Sequence, residues 1–470
     1  MHTVILGNGI IGMSIAFRLA KRISPSDRIS IVGRKRRQGS ATLAAAGMLN
    51  SFAEIESGSL NSEIERYRFE LSRSATRMWP EFEKEIFQAS GSGETALGFG
   101  TYVVNNTAAD DLDDENFDAI VEAMTEFDEP FEFVAPRDIP NYLPQQKYRA
   151  NRAILIRNEG WVNPRVVLDA LDELLGAHPQ VALIDSEVIR LVKSSEGIDA
   201  AVLDDDRRAE GDKFVLATGA TVTDILSRSR LAIAVQRVFY GVGVSVEIRS
   251  PDFPHTNCVR TPNRGLACGL YSVPYLSQPA SQGENIVIGA SNFISPVPCG
   301  YGRLTSVEYL MRGAIEQINT NFYRAEMVRV NVGWRPTSLD TFPLLGKTSI
   351  SNLLIASGTK RDGFHLAPVI SEKLVAMLFE EPVDARFDWF APERQPIRSL
   401  SREAAIEKAV RHQLSAAYQH GFTPSTNRMP EQVRAMHRKD VEQVHDKAGA
   451  DDWGIPPEML DMYRYGHANG

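Results

Sequence analysis

The sequence predicts a mixed fold, α/β and α+β: a Rossmann-like domain interleaved with a domain built on an antiparallel sheet, and after them a helical C-terminal extension. Three observations carry this. The chain opens "TVILGNGIIGMSIAFRLAKR", an apolar run, a glycine turn and a stretch with helical spacing. Residues 236–330 carry alternating strand-like segments such as "YGVGVSVEI", "CGLYSVPYL" and "NIVIGAS". Strand, glycine turn and helix then recur in "SNLLIASGTKRDGFHLAPVISEKLVAMLF".

Gly7, Gly9 and Gly12 form a G-x-G-x-x-G. Glycines allow a tight turn and close approach to a pyrophosphate, and a helix starting at Ile10 and Ile11 would aim free N–H groups and its positive end at that anion. The acidic residue expected about twenty residues later, where it would bind the adenosine ribose, is missing. "RISIVGRKRRQGS" supplies Gly33 and Arg34 in its place. From these residues alone, Arg34 either contacts the 2′-phosphate of NADP or belongs, with Lys35, Arg36 and Arg37, to a solvated turn.

Next, "SATLAAAGMLNSFAEIE" is small and then apolar, which suits backbone running close against a ligand, and "NSEIERYRFELSRSATRMWPEFEKEI" has helical spacing. From 97 to 150 the pattern breaks up, and the acidic "DDLDDEN" reads as solvated surface. "RAILIR" reads as a strand, and Asn163 followed by Pro164 as the N-cap and first turn of a helix. Short strands then end in "FVLATGA". This reading assigns 1–95, 150–235 and 335–395 to the nucleotide domain, 96–149 and 236–334 to the substrate domain, and 396–470 to the extension.

The 470 residues carry a net charge of −9, which argues against general nucleic-acid or anionic-membrane binding. No apolar run reaches membrane-span length, and no leader pattern precedes the first strand, so a cytoplasmic location is expected. Cys258, Cys268 and Cys299 form no C-x-x-C and read as plain thiols. His412, His420, His437, His445 and His467 fall in the extension and read as solvated helix faces; no metal site is expected.

Five motifs at consistent spacing lead further: "GNGIIG", "AAAGML", "LATGA", "GWRPTSLDTFPLLG" and "SGTKRDGFHLAP". In order and spacing, residues 1–395 resemble the D-amino-acid oxidase family of flavoproteins, most closely its glycine oxidase branch. The resemblance implies bound FAD and removes the need for NADP. It implies Gly7, Gly9, Ile10, Ile11 and Gly12 at the pyrophosphate, Gly33 and Arg34 at the adenosine, and Ala44, Ala45, Ala46, Gly47 and Met48 along the flavin ring. Val188, Thr218 and Gly219 join the cofactor contacts, as do Gly358, Arg361, Asp362, Gly363, Phe364 and His365. His365 reads, by its apolar surroundings, as a core residue without a catalytic part.

For substrate, the resemblance implies Arg335 as the group that grips a carboxylate with parallel hydrogen bonds, Tyr271 as a residue that closes over the substrate, and Arg361 near flavin or substrate. Asp340 reads as a turn cap. Arg237, Phe239 and Tyr240 depart from the small turn usual in glycine oxidases, which predicts a different pocket entrance.

The implied reaction is oxidation of a primary or secondary amine α to a carboxylate, of glycine, D-amino-acid or N-substituted glycine type, to an imine, with oxygen reduced to hydrogen peroxide. Two alternatives stand beside it: a dehydrogenase of the same fold that uses a quinone or partner acceptor, and a flavin-binding subunit of a multisubunit oxidase. The extension is expected to serve assembly, as part of a homo-oligomer or a docking element, and to take no part in the chemistry.

Overall fold

The computed structural model describes residues 1–91, 97–265, 268–276 and 283–468. A six-stranded sheet runs in the order Leu344–Lys347, Leu353–Ser357, Lys213–Leu216, His2–Leu6, Arg28–Val32, Val181–Ile184. All neighbours are parallel except the Leu344–Lys347 edge. Parallel strands are buried on both faces and so read as unbroken apolar runs. Alternation sends Ile5, Ile29 and Ile31 to one face, under the helices Ile10–Ala20, Glu63–Ser90, Pro164–Ala177 and Ala367–Leu378. It sends Val4, Leu6 and Val32 to the other, against the three-stranded sheet Val188–Lys193, Ile198–Leu203, Arg208–Glu210 and the helix Val222–Ser229. Asn163 caps Pro164–Ala177 as its spacing predicts, its side chain accepting from the Arg165 N–H.

A second, larger sheet is mostly antiparallel, with Val238–Arg249 paired along its length to Glu326–Ser338. Arg152–Trp161, expected in the nucleotide half, lies in this sheet instead, between Gly98–Asn105 and the short strand Met48–Leu49. An apolar run specifies a strand but not its partners, which is why its sequence was silent on this. The acidic stretch "DDLDDEN" is also not plain surface. It starts the helix Asp111–Glu126, where three first-turn acids suit the positive helix end, and its Leu112, Asp113, Asn116 and Phe117 are buried. Asp113 pairs with the equally buried Arg264 at 2.8 Å.

The extension folds back on its own chain. Helices Arg402–Gln419 and Met429–Ala448, and the short helix Leu460–Arg464, enclose Ile406, Val410, Val441, Val444 and Leu460 around Phe239 of the large sheet. His445 is a buried strut, accepting from the Ile455 N–H at 3.0 Å, with its other ring nitrogen 2.9 Å from the Val441 carbonyl. These apolar residues of the extension, which was expected to serve assembly, pack within the chain, while Met436 and Tyr465 stay exposed.

Candidate active site

One cavity of about 800 Å³, a size usual for ligand sites, runs from the glycine turn to the large sheet. At its first end Gly7 takes φ +118°, and a Cβ there would lie 2.3 Å from the Ala217 carbonyl oxygen. Gly9, Ile10 and Ile11 line the wall. Gly9 offers the helix no side-chain cap, so Ile11, on the wall, starts the helix with its N–H uncapped among the described residues, while that of Ile10 reaches Thr42 Oγ1 at 3.3 Å. Gly12 is not on the wall; a Cβ there would meet Gly7 O at 2.0 Å, so its part is close packing of helix on turn.

Gly33 and Arg34 also line this end. The Arg34 guanidinium is engaged by the Asp185 carbonyl at 3.2 Å and by the Asp204 carboxylate. Arg37, read as solvated, is not: its side chain is 7% exposed and grips Asp172 through two bonds of 2.7 and 2.6 Å. Its Nε donates to Asn8 O at 2.9 Å, so it braces the turn. Val188, Thr218 and Gly219 form the opposite wall. The Thr218 hydroxyl is buried without a partner among the described residues, which suits a polar ligand atom.

Deeper in, Ala44, Ala45, Ala46, Gly47 and Met48 run along the wall. Gly47, at φ +73°, leaves no room for a side chain beside Val162 O, 1.8 Å from where a Cβ would stand. Arg361, Asp362, Gly363, Phe364 and His365 line the far side, whereas Gly358 does not; at φ +68° it turns the chain after Leu353–Ser357. His365 is a core residue as read. Burial pushes its ring down to about 4, Nε2 lies 2.8 Å from Thr76 Oγ1, and its carbonyl accepts from Trp79 at 2.7 Å.

Arg335 stands on the Glu326–Ser338 strand and reaches the cavity through a slot left by Gly243, where a Cβ would be 2.4 Å from its Cζ. Its Nη1 donates to Ser291 O and Asn292 Oδ1, both at 3.0 Å, which fixes the guanidinium at the cavity wall. Tyr271 is buried against Gly289 and lines the same end. Burial pushes its phenol up, so it stays protonated. Asp340 is the turn cap expected: it accepts from the Phe342 N–H at 3.0 Å and pairs with Arg394 at 2.6 Å.

Arg237, Phe239 and Tyr240, expected at the entrance, are not on the wall. Phe239 packs in the extension's core, Arg237 donates to His467 O, and Tyr240 bonds Asp224. Phe239 and Arg237 thus seat the extension, while Tyr240 packs against Trp334.

Sequence reasoning missed Glu54, Trp334 and Cys268, all on the wall. Burial alone would raise the Glu54 carboxyl, but Arg260 and Arg361 hold it below its usual value. Arg260 is fully buried and pairs with Glu54. The available signal was an acid placed in "SFAEIE", directly after the small-residue run. Among the described residues no group of three or more His, Cys, Asp or Glu is placed to hold a metal ion, and no helix is long and apolar enough to cross a membrane.

A family model described as FAD dependent oxidoreductase, DAO, matches residues 2–377. The chain belongs to this family. It is a flavoenzyme with FAD as cofactor. The chain is 26% identical over 384 residues to glycine oxidase of Geobacillus kaustophilus, across 80% of this chain and 92% of that one. It is 24% identical over 427 residues to the bifunctional protein ThiO/ThiG of Nostoc sp., across 89% of this chain, and spans 58% of that longer protein. The crystal structure of iminodiacetate oxidase from Chelativorans sp. BNC1 superposes with a TM-score of 0.69 at 19% identity, over 84% of this chain and all of that one. The cavity fits the cofactor: a glycine cradle that side chains would fill, a helix start whose Ile11 N–H is uncapped among the described residues, and the unpartnered Thr218 hydroxyl.

Proposed function

We propose that this enzyme oxidises a primary or secondary amine α to a carboxylate to the imine, and passes the electrons to oxygen with formation of hydrogen peroxide. The observation that carries the reading is Arg335, a guanidinium on the cavity wall whose Nη1 is held by Ser291 and Asn292. Such a fork matches a carboxylate with two parallel charge-assisted bonds. FAD, when bound, supplies the two-electron acceptor. The chain's own part is orientation: Arg335 fixes the acid, the protonated Tyr271 hydroxyl supplies a donor beside it, and the buried wall excludes water. No strong base is needed if the amine reaches the site neutral.

In this reading Gly7, Gly9, Ile10, Ile11, Gly33 and Arg34 hold the cofactor's nucleotide end, while Ala44 to Met48 and Arg361 to His365 hold the flavin end. A glycine oxidase among the sequence relatives supports an oxidase. The test is anaerobic mixing of the holoenzyme with amino acids and N-alkyl glycines, followed by readmission of oxygen. Bleaching of the flavin band, then recovery with one peroxide per imine, is expected. Bleaching that oxygen does not reverse would favour another acceptor.

A further inference from the structure

Two residues of the extension reach the turn that carries Arg361, although no described residue of the extension lines the cavity itself. Glu458 pairs with Lys360, and both side chains are only 16% exposed. Lys408, on the helix Arg402–Gln419, pairs at 3.0 Å with Glu56, which also meets Arg361 Nη2 at 3.3 Å. Both lie beyond residue 377, where the family match ends. Burial would raise the Glu458 carboxyl, but Lys360 and Arg361 hold it below its usual value, so it stays a carboxylate at neutral pH. Its seat is firm. Pro457 and Met459 on either side of it are buried, Met459 within the extension's own core.

Lys360 joins three parts of the site. It is on the cavity wall, it directly precedes Arg361, and its N–H donates at 2.7 Å to the carbonyl of Pro336, the residue after Arg335. That bond ties the turn to the strand end that bears Arg335. To make it, Lys360 stands at φ +51°, a left-handed backbone that a residue with a side chain holds only where its surroundings impose it. The ion pair with Glu458 is such a constraint. Without the acid, Lys360 Nζ would be left in a poorly solvated place with no carboxylate, and the side chain would have to leave it, taking the strained backbone along.

We infer that the C-terminal extension belongs to the framework of the active site: Glu458, by holding Lys360 in its left-handed turn, fixes the spacing between Arg335 and the wall from Arg361 to His365. The inference rests on the reading that Arg335 takes the substrate carboxylate and that this wall holds the flavin end. Glu458 and Lys360 are positioning residues, and neither touches the reacting atoms. A substrate anchored by its acid at Arg335 presents its α-carbon to the flavin at one spacing only, so it feels a shift of the turn. An amine without the acid is not anchored and feels it far less. The extension, expected to take no part in the chemistry, thereby sets its geometry.

The test uses the flavin-loaded full chain and measures the limiting rate of anaerobic flavin reduction by the best amino-acid substrate and by the matching amine without the acid, beside the Kd of propionate read from the flavin spectrum. Glu458→Gln and Lys360→Met should each slow reduction by the acid-bearing substrate about tenfold or more, the loss a misplacement approaching 1 Å brings. The double variant should lose no more than either, because both remove one contact. Propionate binding should stay within a few-fold of the parent, since Arg335 is untouched, and the acid-free amine should slow little. Lys360→Gly should recover most of the rate lost in Lys360→Met, because glycine takes a positive φ freely. Thermal unfolding checks each variant. A parent-like rate in folded Glu458→Gln overturns the inference. So do losses that multiply in the double variant, an equal loss with the acid-free amine, or a Lys360→Gly variant no faster than Lys360→Met. Arg335→Leu separates the two layers: if it leaves propionate binding unchanged, the carboxylate reading itself fails.

Discussion

Gly243→Ala is a one-methyl change that tests the site without touching the arginine. The new Cβ would lie 2.4 Å from Arg335 Cζ and 2.5 and 2.6 Å from its two terminal nitrogens. Ordinary contact begins near 3.4 Å, so the guanidinium has to retreat by about 1 Å. It cannot do so freely, because Nη1 is tied at 3.0 Å to both Ser291 O and Asn292 Oδ1. Gly243 has no left-handed backbone and sits in regular register opposite Gly333, so alanine is compatible with the strand. A misplacement of about 1 Å in a substrate-orienting group costs roughly 10²-fold. The assay is kcat/KM for the best amino-acid substrate, beside flavin content and the rate with the matching amine that lacks the acid. Flavin content should hold and the acid-free amine should lose far less. If kcat/KM stays within a few-fold of the parent in a folded, flavin-loaded variant, the slot does not position a catalytically used fork.

Three further outcomes are expected. Gly12→Ala places a methyl 2.0 Å from the Gly7 carbonyl and should yield protein that purifies without flavin, read from its absorbance ratio. Asp340→Asn leaves Arg394 without its buried partner and should destabilise the fold by about 3 kcal/mol or more in denaturant unfolding. The third is pH-dependent. His255, His365 and His412 are each pushed down to about 4 by burial, so below pH 6.5 the unfolded chain takes up protons the native state refuses. Stability should therefore fall as pH drops from 6.5 toward 4, by up to about 3 kcal/mol per histidine, and His412→Gln should make the fall in Tm shallower. A Tm unchanged across that window would contradict this.

What could be read from the sequence was local. The glycine turn, the small-residue run and the Asn163 cap depend on neighbours within a few residues, so their pattern survives in one dimension. The place of Arg335 on the cavity wall was legible because its motif is contiguous. Glu54 was not, since its meaning comes from Arg260 and Arg361, each more than two hundred residues away. Asp113 looked like surface for the same reason: its partner Arg264 lies in another strand region. Phe239 gave a wrong entrance because a bulky residue on a strand does not announce what will cover it, and here the cover is the chain's own last helices. The extension's histidines were read as solvated helix faces, yet His412 and His445 are buried, and Lys408 and Glu458 of the same extension pair with Glu56 and Lys360.

The most direct measurement of the central claim is anaerobic flavin reduction in the holoenzyme by matched pairs of amines that differ only in the α-carboxylate, repeated in Arg335→Leu. The account predicts rapid bleaching by the carboxylate-bearing member, little by its partner, and loss of that preference in the variant, by roughly 10²- to 10⁴-fold for two charge-assisted bonds. Equal reduction by both members of each pair, or a preference that survives the loss of Arg335, would contradict it.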